Sequence, residues 1–326
     1  MKIGIVGYGN VGRGVEQAIK LNPDAELFAI YTRRDPSEIT PATSGAQVLP
    51  MSALNTRAGG PDVLILCGGS ATDLPEMTPA LASKYSVVDS FDTHVNVPEH
   101  YEKVNKATAK NNTVAIISAG WDPGLFSLAR TYMLSSIPAG KTYTFWGTGV
   151  SQGHSDAIRR IDGVADARQY TIPIDEAVAS VRNGETPELT TRQKHKRDCY
   201  VVLECGADAE KVKNAIVTMP NYFADYDTTV TFISQEEMNE KHSEMPHGGS
   251  VIRSGIANEN GNHNSVMEFS LKLDSNPEFT GGVLLACARA AYKMKSRGMS
   301  GCFTMLDIAP ADLLPLTKEE ILKSLV

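Results

Sequence analysis

The sequence predicts an α/β fold, a Rossmann-type doubly wound parallel sheet joined to an α+β second domain. Three observations carry that prediction. A glycine-rich turn stands at residue 7, between a strand-like run and a helical pattern. Apolar runs then alternate with helical patterns as far as about residue 122. Beyond that point the runs become period-two, with fewer helical patterns between them. Alternation of the first kind implies a parallel sheet, and period-two runs imply an antiparallel or mixed one. At 326 residues the chain has room for about two domains. We expect residues 1–122 to form the first domain and 123–276 the second, with the segment from about 277 to 326 packing back on the first.

Composition narrows the classes. The chain is 42% hydrophobic and 21% charged, ordinary values for a globular protein. No apolar run approaches the ~20 residues of a membrane helix. The start, "MKIGIVGYGN", leads straight into a strand without a charged-then-apolar leader. A net charge of −7, with one basic cluster at "RQKHKR", argues against nucleic acid as a partner. Five cysteines without CxxC or zinc spacing read as reduced thiols, which points to the cytoplasm. The seven histidines are scattered, so no metal site is expected.

The first element, "KIGIV", is a short apolar strand, and Gly7-Tyr8-Gly9-Asn10-Val11-Gly12 follows it directly into a helix. In that context GxGxxG is a dinucleotide site. Gly7 makes the turn, Gly9 admits the pyrophosphate, Gly12 lets the helix approach the strand, and the helix N-terminus faces the phosphates. The second strand, "AELFAIYT", ends in Thr32-Arg33-Arg34-Asp35. A carboxylate at this point would hold a ribose 2′-hydroxyl, whereas guanidinium groups bind a 2′-phosphate. NADP is therefore expected, with Asp35 as a ribose ligand the alternative. Three more units repeat the rhythm from "PDVLILCGGSATD", "YSVVDSFDTH" and "NTVAIISAGWDPG". Ligands bind at the carboxyl ends of such strands. Those ends carry Cys67 to Ser70, Asp92, and the pair Trp121-Asp122. Asp122 ahead of Pro123 also fits a helix N-cap with proline in the first turn.

In the second half, Arg197 lies among basic neighbours at a strand start. His247 precedes Gly248-Gly249, and Asn276 precedes a helix in "DSNPEF". Each could orient a charged ligand. Each also has an ordinary reading, as a solvated side chain or, for Asn276, a helix cap.

GYGNVGRG, YTRRD, LCGGSATD, SFDTH, SAGWDPG, FWGTGVSQGHSDA, MPHGG and LDSNPEF occur in this order. Together they resemble the meso-diaminopimelate dehydrogenase family over essentially the whole chain. The resemblance implies an NADP-dependent homodimer of lysine and diaminopimelate biosynthesis, whose second domain binds substrate and dimerises. It implies oxidative deamination of the D-centre of meso-2,6-diaminopimelate to L-2-amino-6-oxopimelate, reversibly. Carried onto this sequence, it places the phosphates on Tyr8 to Gly12 and the 2′-phosphate on Thr32, Arg33 and Arg34. Cys67, Gly68, Gly69, Ser70, Ser90, Phe91, Asp92, Ala119, Gly120, Trp121, Asp122 and Pro123 line the rest of the cofactor and the catalytic junction. The substrate pocket falls to Asp92, Trp121, Asp122, Trp146, Gln152, Gly153, Thr171, Arg197, His247 and Asn276. Asp92 and Asp122 are the expected catalytic pair, accepting hydrogen bonds from the reacting amine. Arg197, Thr171 and His247 suit the distal carboxylate, and backbone groups near Gln152-Gly153 the reacting one. An aspartate of ordinary pKa, about 3.9, is a weak base toward an ammonium. The amine proton therefore leaves either through a carboxylate whose basicity the pocket raises or through water. The rival readings are a saccharopine-reductase-like or homoserine-dehydrogenase-like NADP oxidoreductase, and a non-catalytic NADP sensor.

Overall fold

A computed structural model describes residues 1–55, 60–258, 260 and 263–326. The chain divides into two compact units, Met1–Leu128 with Pro277–Val326, and Ala129–Asn276. In chain order the elements are β1 (Lys2–Val6), α1 (Asn10–Lys20), β2 (Glu26–Thr32), β3 (Val48–Pro50), β4 (Val63–Leu66), α2 (Leu74–Ala82), β5 (Ser86–Asp89), α3 (Val97–Thr108), β6 (Val114–Ile116) and α4 (Leu125–Ser136). There follow β7 (Ala139–Trp146), β8 (Gly149–Val150), α5 (Gln152–Arg159), β9 (Val164–Pro173), α6 (Asp175–Arg182), α7 (Thr191–Lys194), β10 (His195–Leu203), α8 (Ala209–Val217), β11 (Asp227–Phe232), α9 (Gln235–Lys241), β12 (His247–Ile256) and β13 (Asn264–Leu273). The chain ends with α10 (Asn276–Ser296), β14 (Gly301–Phe303) and α11 (Lys318–Leu325).

Unit 1 is built on a seven-stranded sheet in the order β14-β6-β5-β4-β1-β2-β3, with every pair parallel. Its central strands read as continuous apolar runs because both faces are covered. All four residues of β4, Val-Leu-Ile-Leu, are buried. On one face Ile3, Ile5 and Ile65 meet Val15, Leu284 and Ala288 of α1 and α10. On the other, Leu64 and Leu66 meet Leu74 and Val104 of α2 and α3. Each such aliphatic side chain contributes about 2 kcal/mol on burial. The fold class is the doubly wound one that the sequence predicts.

The long helix α10 meets this unit by close backbone contact. A Cβ on Gly14 of α1 would lie 2.2 Å from the Pro277 carbonyl oxygen, and one on Gly281 would lie 2.3 Å from the carbonyl carbon of Gly14. Arg289 of α10, 4% exposed, donates twice to Asp24 and once to Asn22, which ties the helix to the turn after α1.

Unit 2 holds two sheets where the period-two runs suggested one. The first is mixed, in the order β11-β10-β9-β8, with β10 and β11 parallel. The second is antiparallel, in the order β13-β12-β7. Residues 146–150 join them. The Gly147 N–H donates to the Gly248 carbonyl at 2.9 Å, and Val150 N–H donates to that of Pro246 at 2.8 Å. A Cβ on Gly147 would lie 2.1 Å from the Thr171 carbonyl oxygen, and one on Gly149 would lie 2.4 Å from Cα of His247. The two glycines in "FWGTGV" are therefore what lets one sheet's edge approach the other.

One local expectation is overturned. α4 begins at Leu125, so Asp122 is not its N-cap and Pro123 is not in its first turn. Residues 120–125 form a tight turn, in which Trp121 bridges to Gly124 and Leu125 N–H donates to the Gly120 carbonyl at 3.0 Å. Gly124 has φ +133°, and a Cβ there would lie 1.9 Å from the Gly120 oxygen. Closing this turn, which only glycine permits, uses the residues that the capping pattern assigned to a helix start.

Candidate active site

In unit 1 the glycine turn has the geometry a dinucleotide needs. A Cβ on Gly12 would lie 2.4 Å from the Gly7 carbonyl oxygen, so helix and strand meet there without room for a side chain. Nothing lies within 4 Å of a Cβ built on Gly9, which leaves open space beside that backbone. α1 starts there with Gly9 as N-cap and no side-chain cap, so the helix N-terminus adjoins the turn. A cavity of about 240 Å³ adjoins the turn, lined by Gly7 to Gly9, Tyr31 to Arg34, Cys67 to Gly69 and Asp73, among others. Burial pushes the Cys67 thiol up to about 12, so it presents no negative charge to phosphates.

The two arginines are used differently. The Arg34 guanidinium donates to the Tyr8 carbonyl at 2.7 Å, and its backbone N–H donates to Thr32 Oγ1 at 3.0 Å. Arg33 is 66% exposed and rests on Asp73 at 2.8 Å. Asp35 closes its own turn, accepting from Ser37 N–H at 2.9 Å and Ser37 Oγ at 2.7 Å. That favours the phosphate reading of the strand end over the ribose one. The Tyr8 side chain donates to Glu16, which is fully buried. Burial raises the Glu16 carboxyl, but bonds from Thr43, Tyr8 and Ala42 outweigh that and hold it below the usual carboxylate range.

The strand ends that carry Asp92 and Asp122 are organised by Asp89, a residue absent from the sequence reading. Its fully buried carboxylate accepts from Thr78 Oγ1 at 2.7 Å, Phe91 N–H at 3.1 Å and Ser118 N–H at 2.9 Å. His100 Nε2 lies 2.8 Å away. The Asp89 carbonyl also accepts from Ala119 N–H at 2.9 Å. Phe91 stacks on His100 at 4.2 Å, so its ring belongs to the core and only its backbone remains for a cofactor. Asp92 is exposed, and its N–H donates to Ser70 Oγ at 2.8 Å. Trp121 is buried against the edge of Phe126, and Asp122 is half-buried.

In unit 2 the register sets Thr171 directly opposite Arg197, with Gly149 opposite Thr171 on its other side. Arg197 is 5% exposed and donates to Thr171 Oγ1. Its Nε is buried without a hydrogen-bond partner. Among the described residues, no carboxylate lies within ion-pair distance of it. Three imidazoles feel its charge. Burial first, and then Arg197, lower His154 to about 4 and His195 to about 3. The same two causes lower His247, opposed by a bond to Gly248. His247 Nδ1 lies 2.8 Å from the Gly248 N–H and 3.1 Å from the Gly248 carbonyl oxygen, so the ring is held by its own turn. His195 accepts from Trp146 N–H at 2.8 Å and stacks on its ring at 5.3 Å. Gln152 and Gly153 open α5, whose N-cap Ser151 makes no side-chain cap. Asn276 opens α10, its N–H donating to the Met245 carbonyl at 3.1 Å.

Residues 120–275 match the family described as diaminopimelic acid dehydrogenase C-terminal domain. Over 326 residues the chain is 56% identical to the meso-diaminopimelate D-dehydrogenase of Ureibacillus thermosphaericus, covering 100% of this chain and 99% of that protein. The chain belongs to the meso-diaminopimelate D-dehydrogenase family. These are oxidoreductases that act on a CH–NH2 group with NADP. The fold agrees with solved members. A meso-dapdh mutant from Clostridium tetani E88, solved with DAP, superposes with TM-score 0.94 at 51% identity, covering 100% of this chain and 99% of that one. An engineered D-amino acid dehydrogenase bound to NADP+ superposes with TM-score 0.88 at 41% identity, with the same coverage. Membership in the family decides against the saccharopine-reductase, homoserine-dehydrogenase and sensor readings.

Two site residues missed in the sequence left traces there. Asp73 stands at the N-cap of α2, but its carboxylate instead accepts Gly69 N–H at 2.9 Å and the Arg33 guanidinium. Asp89 is a carboxylate inside an apolar strand, a position that demands several donors.

Proposed function

We propose that this chain oxidises the D-configured centre of meso-2,6-diaminopimelate with NADP, releasing L-2-amino-6-oxopimelate and ammonia, and also runs the reverse reductive amination, within lysine biosynthesis. One observation carries the substrate assignment. Arg197 is a buried guanidinium with an unsatisfied Nε and no carboxylate partner among the described residues. Leaving such a charge unpaired costs about 3–5 kcal/mol, which a substrate carboxylate relieves on binding. The imidazoles around it are neutral at physiological pH, so one net positive charge faces one carboxylate.

In unit 2, Arg197, Thr171 and His247 hold the distal carboxylate. The N–H groups of Gln152 and Gly153 at the start of α5 take the reacting carboxylate, and Trp146 and Asn276 border the carbon chain. In unit 1, the glycine turn holds the pyrophosphate, Thr32 and Arg33 the 2′-phosphate, and Arg34 braces the turn through the Tyr8 carbonyl. NADP supplies the hydride acceptor when bound. Asp92 and Asp122 accept hydrogen bonds from the reacting amine and orient it, and Trp121 forms a wall. As the C–H bond gives up hydride, the neutral amine's lone pair forms a C=N bond. Water then adds to that carbon, and the C–N bond breaks to release ammonia. Because an ammonium has no lone pair to give, oxidation is fastest at alkaline pH.

The test is steady-state NADPH formation with meso-diaminopimelate against the LL isomer. NADPH appears with the meso compound alone, and the rate climbs from neutral to alkaline pH. Turnover of the LL isomer at a comparable rate contradicts the stereochemical assignment. A flat profile, with the enzyme still folded, contradicts the amine-deprotonation step.

The working form is a homodimer in the cytoplasm. The five unpaired cysteines suit a reducing compartment. The edge strand β13 exposes Val266 and Met267 at 39% and 36%, apolar surface of the kind an interface covers. Sedimentation is expected to give a dimer for the wild type and a monomer for Met267→Lys. An undisturbed dimer in the variant moves the interface elsewhere.

A further inference from the structure

We infer that Tyr226 is a positioning residue that sets how strongly this chain selects substrates bearing a distal carboxylate, because its ring holds the plane of the Arg197 guanidinium. The inference rests on the reading of Arg197 as the anchor of that carboxylate.

The geometry comes from β11. Its first residues pair in parallel with β10, Asp227 opposite Lys196 and Thr228 opposite Arg197. Tyr226 therefore sits just ahead of the strand, beside the arginine in the sheet. Its backbone is fixed by a turn, with Tyr226 N–H donating to the Phe223 carbonyl at 2.9 Å. Phe223 is itself fully buried in the core of the unit. On that support the Tyr226 ring lies with its centroid 3.9 Å from Cζ of Arg197.

A guanidinium binds a carboxylate well only when its plane and its fork are aligned, and an arginine side chain has many rotamers to lose in reaching that state. Here two contacts remove that freedom before substrate arrives. Thr171 takes Nη1, and the Tyr226 ring covers one face. Nε is left without a hydrogen-bond partner, although it is buried. Opposite it on β11, the Thr228 hydroxyl oxygen is also buried and unpartnered. The Tyr226 hydroxyl also interacts with the Arg197 guanidinium, so ring and hydroxyl both bear on it. The positioning is assigned to the ring face, whose centroid 3.9 Å from Cζ makes a cation–π contact. A residue acting in this way changes affinity for the distal carboxylate and leaves the chemistry at the other end of the substrate alone.

The test uses the full-length enzyme with saturating NADP and meso-diaminopimelate as the varied substrate. Tyr226→Leu is expected to raise KM by roughly five- to thirty-fold, the range of a desolvated cation–π contact, while kcat moves less than about two-fold. Tyr226→Phe keeps the ring and is expected to restore KM to within about two-fold of wild type. In an Arg197→Met background, adding Tyr226→Leu changes kcat/KM by less than about two-fold, since the group being positioned is gone. Should the leucine variant fail to accumulate, Tyr226→Met keeps the bulk without the π face and carries the same expectation. An unchanged KM in Tyr226→Leu beside a raised KM in Arg197→Met overturns the inference alone. A Tyr226→Phe variant as weak as Tyr226→Leu also overturns it, because the hydroxyl would then be the active group. If Arg197→Met itself leaves KM unchanged, the reading of Arg197 fails first and this inference falls with it.

Discussion

Arg33 and Arg197 hold their charges in opposite ways. Arg33, in unit 1, is 66% exposed and leans on Asp73 at 2.8 Å. Arg197, in unit 2, is 5% exposed and has no carboxylate beside it among the described residues. The first is a solvated group with one carboxylate partner, and exchanging Asp73 for a phosphate would change little of its surroundings. An exposed pair of that kind is worth about 1 kcal/mol at most. The second is desolvated in advance, fixed by Thr171 and Tyr226, and surrounded by neutral imidazoles. Burial lowers its pKa, which is the cost of holding the charge ready. A cofactor that must enter and leave each turnover suits the first arrangement. A substrate that must be told apart from shorter or uncharged amino acids suits the second, because a buried unmatched charge rejects a ligand lacking the carboxylate.

The comparison can be broken at several points. The largest effect is expected at the strand ends of unit 1, which the account assigns to chemistry rather than recognition. Asp122→Asn should lower kcat by about 10²- to 10⁴-fold with a much smaller change in KM for meso-diaminopimelate. Full activity in that variant removes Asp122 from the reaction. Next comes Arg33→Ala, which should raise KM for NADP by about tenfold or more and leave KM for NAD unchanged, as loss of a charge-assisted phosphate contact does. An equal change for both cofactors would show that Arg33 does not read the 2′-phosphate. The smallest effect belongs to Asp73→Asn. If Asp73 is only a placeholder, freeing Arg33 should lower the NADP Kd by about two- to five-fold, read by fluorescence titration. A weaker Kd would mean that Asp73 shapes the site through its bond from Gly69, and the two arginines would then be less different than the comparison makes them.

The same contrast explains what could be read from the sequence. The cofactor half is a constraint on backbone, and backbone constraints appear as residue types at fixed spacing. Gly9 and Gly12 in one turn, and arginines at the end of the second strand, are enough to propose where it lies. The division of labour between Arg33 and Arg34 was not legible, because it depends on Asp73 and on the Tyr8 carbonyl, which come from other segments. The substrate half of unit 2 is a constraint on side chains brought together by register. Trp146, Thr171, Arg197 and His247 lie on four strands, and no local period links them. Taken singly, Arg197 and His247 were candidates with ordinary alternatives, and their grouping came only from the resemblance to a family. Gly147 and Gly149, which let the two sheets of that unit approach, were visible but had no stated purpose until Thr171 and His247 were seen against them. The capping pattern at Asp122-Pro123 misled for a local reason, since the turn closed by Gly124 delays the helix to Leu125.

The most direct measurement is the ratio of kcat/KM for meso-diaminopimelate to that for a D-amino acid with an apolar side chain, in the wild type and in Arg197→Met. Removing a buried partner of a charge pair is worth about 2–5 kcal/mol, so the account predicts that the ratio falls by at least about thirty-fold, through KM for meso-diaminopimelate. A ratio that does not move would contradict it, and would leave the buried guanidinium of unit 2 without its carboxylate.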